Sequence, residues 1–163
     1  MKILIFLHGT IIMHKTAKDR KRKEIVKQVI KNEKSVLDYA SYIPIGHAVK
    51  KLLKWKSQGA DICYLSSHVT SKNVEKDESV LKKHLFPKGN IYYRQKREKY
   101  KDVIQRIKPL PDILIEDDCE SIGGKDEMAH SQLNQEIKAK IKHIVVKEFG
   151  SIDSLPDKID DFI

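Results

Sequence analysis

The stretch MKILIFLHGTIIMH (residues 1–14) decides the fold. An apolar run over residues 3–7 breaks off at His8-Gly9-Thr10, and a second histidine follows at His14. A short apolar run at the head of a chain reads as a buried strand. The polar residues at its end then form the kind of loop in which α/β proteins place their chemistry.

Four further β-rich apolar runs follow, at 61–66, 90–93, 112–116 and 143–148. Helical periodicity separates most of them. Ala48, Val49, Leu52, Leu53 and Trp55 recur at helical spacing and stop at Gly59. Val74, Val80, Leu81 and Leu85 do so before Pro87, and Tyr100, Val103, Ile104 and Ile107 before Pro109. Strands alternating with helices imply right-handed crossovers and a parallel sheet. The strands are apolar throughout, as expected when both sheet faces are covered. The expectation is an α/β fold: one domain over 1–163 with an open, mainly parallel five-stranded sheet in a three-layer α/β/α, Rossmann-like sandwich.

Residues 16–42 exceed a simple loop and carry a helical stripe of Ile25, Val26, Val29 and Ile30. This segment reads as a small cap inserted after the first strand, overhanging the strand ends. The tail from residue 148 contains Gly150 and Pro156 and reads as a closing segment on the sheet edge.

The net charge of +9 is unevenly spread, with nine Lys/Arg against three Asp/Glu in residues 15–34. Such a run is ordinarily a solvated helix face, and no interleaved aromatic residue argues otherwise. Its second reading is a docking surface for nucleic acid or an acidic protein. No apolar run is long enough to span a bilayer, and the first is too short for a signal peptide, so no membrane association and a cytoplasmic location are expected. Cys63 and Cys119 form no Cys-x-x-Cys pair and read as two free thiols.

In open parallel sheets, ligands bind beyond the carboxyl ends of the strands. That rule singles out His8, Gly9 and Thr10; Ser66, Ser67 and His68; Lys99 and Lys101 at the start of a helix; and the acidic triplet Glu116, Asp117 and Asp118. Three consecutive acids repel one another and call for a cation or a lysine. Ser66 and Ser67 also read as a helix-cap pair, and His8 as a loop histidine bonded to Asp117. His14 and His68 could join His8 in a metal site, although the spacing matches no tight ligand motif. His47, His84, His130 and His143 read as surface residues.

The ordered set resembles the haloacid dehalogenase superfamily of phosphatases and phosphotransferases. IFLHGT (5–10) stands where that family has Asp-x-Asp-Gly-Thr, and IPIGHAVKKLLKWKSQGADICYLSS (43–67) looks like its second motif with the preceding helix. KYKDVIQRIKPLPDILIEDD (99–118) looks like its lysine helix and acidic fourth motif. The resemblance implies that Ser66 bonds a phosphoryl oxygen and that Lys99, or Lys101, neutralises its charge. It implies a magnesium ion held by Asp117 and Asp118, with the His8 carbonyl as a further ligand and Thr10 closing the loop. Gly9 and Ser67 would stand beside the substrate.

The departure lies in the first motif, where Phe6 and His8 stand at the positions of the family's two aspartates. Phenylalanine cannot attack phosphorus, so the aspartyl-phosphate route is closed. Three readings remain. His8 acts as a base on water, or itself as a nucleophile, in an atypical phosphoester hydrolase with Lys99 and Asp117 as catalytic partners. Alternatively, the site binds a phosphorylated small molecule or nucleotide without turnover. In the third reading the scaffold serves an interaction through residues 15–34.

Overall fold

In the computed structural model, which describes residues 1–162, the first strand β1 (Lys2–Phe6) is the centre of the sheet. It pairs in parallel with β4 (Asp61–Leu65) on one side and with β6 (Ile113–Asp117) on the other. The outer strands are β5 (Ile91–Tyr92) beside β4 and β7 (Lys142–Val146) beside β6. The order β5-β4-β1-β6-β7 means that the chain winds outward one way, returns, and winds the other way. The crevice at that reversal lies between the carboxyl ends of β1 and β6, where doubly wound sheets bind ligands.

Successive residues of β1 serve two cores, because side chains alternate across a strand. Ile3, Ile5 and Leu7 pack with Leu52 and Trp55 of α3 (Ala48–Ser57) and with Val80 and Leu81 of α4 (Ser71–Lys83). Leu4 and Phe6 pack on the other face with Tyr100, Val103 and Ile104 of α5 (Tyr100–Arg106) and with Ile137 of the single turn α6 (Gln135–Lys138). The three-layer α/β/α sandwich expected from the strand pattern is therefore present. No helix among the described residues is long and apolar enough to cross a membrane.

The long segment after β1 begins and ends in a two-stranded antiparallel ribbon of β2 (Ile12–Met13) and β3 (Ile43–Pro44). Between them lie α1 (Arg22–Ile30) and the single turn α2 (Lys34–Leu37). The tail does not sit on the sheet edge alone. It runs along α3, where Trp55 Nε1 donates to the Pro156 carbonyl at 2.9 Å and the Trp55 and Phe162 rings meet edge to face at 5.2 Å. Both cysteines are free and buried.

Candidate active site

Gly9 and Thr10 turn the chain off β1 directly against the end of β6. Thr10 Oγ1 donates to Asp117 Oδ2 at 2.7 Å, and the Cys119 amide donates to Asp117 Oδ1 at 2.9 Å. Gly9 has φ +83°, a left-handed conformation, and a Cβ there would lie 3.0 Å from Asp117 Oδ2 and 3.1 Å from Glu148 Cγ. Only glycine lets the backbone pass between these two acids. Burial pushes the Asp117 carboxyl up to about 6, against the pull of its bonds from Thr10 and Cys119. Burial likewise pushes Glu148 up to about 7, although the Ser121 amide and hydroxyl both donate to it. Two carboxyls able to carry protons near neutrality thus flank the β1 turn.

His8 turns the other way. Its Nε2 lies 2.9 Å from Asp77 Oδ1 and its Nδ1 lies 2.8 Å from Ser67 Oγ. Asp77, on α4, is only 1% exposed, and its other oxygen accepts the Ser66 hydroxyl at 2.6 Å. His68 Nε2 stands 3.6 Å from Asp77 Oδ1, is enclosed, and has no hydrogen-bond partner. Burial and the neighbouring His8 push the His68 imidazole down to about 4, so it is neutral at physiological pH. The result is a serine–histidine–aspartate chain, assembled from the β1 end, the β4–α4 loop and α4. The His8 partner is therefore Asp77 and not Asp117.

The cation in this arrangement is Arg94. Its guanidinium lies 4.3 Å over the Tyr100 ring, donates to the Ser67 carbonyl at 3.1 Å, and leaves its buried Nε without an acceptor. Phe6 meets Tyr100 edge to face at 5.6 Å. Lys99 and Lys101 were expected here, but both are exposed and neither lines the cavity. Lys99 is the extended N-cap of α5, and with neither lysine among the cavity-lining residues a lysine role at the site is not supported. Ser66 is fully buried on Asp77 and Thr10 fully buried on Asp117, so each orients a site residue without itself reaching a ligand.

The acidic triplet resolves its repulsion by sending each member elsewhere. Glu116 faces the α5 side, where it accepts the Ala129 and His130 amides and lies 2.8 Å from His143 Nε2. That makes His143 a half-buried partner, its ring stacked on His130 at 3.8 Å. Burial raises the Asp118 carboxyl, but Lys147 and the Glu148 amide bond its two oxygens and hold it below the usual range. Asp117 and Asp118 therefore do not converge, Phe6 offers no oxygen at the end of β1, and the His8 imidazole faces Asp77 instead. Magnesium at Asp117 and Asp118 does not fit this donor set.

One cavity of about 430 Å³ joins these groups; His8, Gly9, Ser67, His68, Arg94, Asp117 and Glu148 all line it. Val29, Val36, Leu37, Tyr39 and Tyr42, from the segment between β2 and β3, also line it. His14, bonded through Nε2 to Gln28 Oε1 at 2.9 Å, lines the same wall but ties the insertion down instead of joining His8. The basic residues of 15–34 are largely exposed, with Arg22 paired to Glu120 next to the Ser121 rim. Asp77, Arg94 and Glu148 are the site residues that sequence reasoning missed. Asp77 alone carried a signal, since it falls three residues after Val74 and three before Val80 on an otherwise apolar stripe.

No family model and no curated protein matches this sequence. Among solved structures, a chain of the Pnkp1/Rnl/Hen1 complex superposes on 90% of this chain with a TM-score of 0.53 at 14% identity. This chain spans 46% of the length of that one, and at such identity the likeness is one of fold.

Proposed function

We propose that the cavity is the active site of an atypical phosphoester hydrolase or phosphotransferase on a haloacid-dehalogenase-like scaffold, in which an imidazole-activated hydroxyl takes the place of the missing aspartate nucleophile. The observation that carries this reading is the chain Ser67 Oγ to His8 Nδ1 at 2.8 Å and His8 Nε2 to Asp77 Oδ1 at 2.9 Å, opening on the same cavity as Arg94. Asp77 holds the tautomer with the proton on Nε2, which leaves the Nδ1 lone pair for the serine proton. As Ser67 Oγ bonds to phosphorus, His8 takes its proton, and Arg94 offsets the charge on the phosphoryl oxygens. Protonated Glu148 or Asp117 gives its proton to the leaving oxygen. Water then attacks the serine phosphate, returning a proton to that carboxylate, while His8 returns its own to Ser67. No step is routed through magnesium.

A phosphorylated small molecule or nucleotide suits a cavity of this size. The largely exposed basic residues of 15–34, which Arg22 joins to the Ser121 rim through Glu120, extend the same preference to phosphorylated nucleic-acid ends. The binding-only reading is favoured by Phe6, whose ring fills the end of β1 where an acid would face the phosphoryl group. A phosphate-release screen over sugar phosphates, nucleotides and nucleic-acid ends, run in chelator, separates the two. Turnover is expected that falls by about 100-fold or more in both His8→Ala and Ser67→Ala. Activity surviving both substitutions overturns the assignment, and phosphorylated ligands that raise the melting temperature without turnover favour the binding module.

A further inference from the structure

We propose that His8, His68 and Asp77 form a site for a divalent transition-metal ion of the zinc class, a property beyond the hydrolytic reading that shares His8 and Asp77 with it. One donor atom from each of the three side chains lies within 4.8 Å of the others. His8 Nε2 and His68 Nε2 stand 2.9 and 3.6 Å from Asp77 Oδ1. Zinc–nitrogen and zinc–oxygen bonds of about 2.0–2.1 Å in a tetrahedron place neighbouring ligand atoms about 3.3 Å apart, between those two separations. Both Asp77 separations thus lie within a few tenths of an ångström of the ligated value, and the two imidazole donors stand within 4.8 Å of each other.

A second observation points to a ligand. The His68 side chain is 10% exposed, yet its Nε2 is enclosed and bonded to nothing. A buried polar nitrogen left unpaired is a standing cost, and a metal ion at this point removes it. The neighbours that orient the donors are also present. Ser66 holds the far oxygen of Asp77 at 2.6 Å, leaving Oδ1 toward the histidines, and Ser67 meets the far nitrogen of His8 at 2.8 Å. Such outer partners fix ring orientation and tautomer in protein metal sites. Tyr39 packs on His68 with ring centroids 4.2 Å apart, which restricts the imidazole.

Two imidazoles and one carboxylate suit zinc, cobalt or iron and disfavour magnesium, which prefers an all-oxygen shell. Three protein ligands leave a fourth position toward the cavity. An ion on His8 Nε2 forces the proton to Nδ1, which then donates to Ser67 and no longer takes its proton. The loaded and metal-free proteins therefore differ in whether His8 serves as a base.

The test is a cobalt(II) titration of the chelator-treated, full-length chain, read by visible absorption. One equivalent is expected to give the intense bands of a tetrahedral ion, with zinc displacing it and magnesium giving no response. His68→Ala is expected to weaken binding by at least about tenfold, whereas His47→Ala, at an exposed histidine, leaves it unchanged. Absence of the bands at one equivalent, or equal binding by His68→Ala, overturns the site. Should His68→Ala fail to fold, anomalous diffraction from zinc-soaked wild-type crystals decides the matter. A peak bonded to both imidazoles supports the site, and a peak elsewhere or none rejects it. Neither readout involves turnover, so loss of the metal site and loss of the hydrolytic reading are separate results.

Discussion

Asp117 gives the sharpest quantitative test of the site. Its carboxyl is pushed by burial from 3.8 to about 6. A rise of roughly two units corresponds to about 3 kcal/mol between the protonated and ionised forms. An acid whose folded pKa lies above its unfolded value binds more protons when folded. Its contribution is therefore favourable at low pH and is lost as pH rises from about 4 through about 6. Between about pH 4.5 and pH 8, integration leaves a loss of about 2 kcal/mol from this residue. Asp117→Asn keeps the shape, still offers an oxygen acceptor to Thr10 or Cys119, and removes the titration. The variant is expected to gain about 2 kcal/mol on the wild type across that interval, measured as the difference in urea-unfolding free energy in chelator. Asp117 also pushes Glu148 upward, so the substitution acts on both acids in the same direction. A difference that stays flat with pH, or that moves in favour of the wild type, would refute the placement of this carboxyl between Gly9, Thr10 and Cys119.

Two substitutions test the walls of the same cavity. Gly9→Ala puts a Cβ 3.0 Å from Asp117 Oδ2 at φ +83° and is expected to destabilise by about 1–3 kcal/mol in chemical denaturation; a neutral result would mean that the turn passes elsewhere. Arg94→Gln removes the guanidinium stacked on Tyr100 and is expected to weaken inorganic phosphate binding, seen as loss of the phosphate-dependent rise in melting temperature. An unchanged phosphate response would remove Arg94 as the anion contact.

The strands were legible as apolar runs, and the central β1 is buried on both faces, a pattern that a covered parallel sheet imposes. Ile3 and Leu4 point to opposite cores, and both are fully buried. The ends of β1 and β6 were legible as well, since the reversal in strand order brings Gly9, Thr10 and Asp117 together. The rest lay outside local pattern. Asp77 sits in a helix rich in Lys and Glu, where only its apolar-stripe position sets it apart from the exposed Glu75 and Glu78. Arg94 lies in a charged run between β5 and α5, and nothing in its neighbours distinguishes it from Lys99, which is exposed outside the cavity. Glu148 follows β7 at a distance of more than a hundred residues from Gly9, so only the folded sheet joins them.

The ribbon that frames the insertion has a consequence for how this molecule can change. Ile12 pairs with Pro44 and Met13 with Ile43, so the chain leaves and rejoins the body at adjacent points. An intervening stretch of different length meets the same two anchor points, at a closure cost that grows only with the logarithm of its length. The roof over the cavity is thus anchored at the ribbon and by Tyr39 and Tyr42, which pack against His8, while the stretch before them is free to differ. Exchanging residues 18–37 for another stretch would alter which molecules enter while leaving His8, Ser67 and Asp77, with Tyr39 and Tyr42 against them, on their own supports.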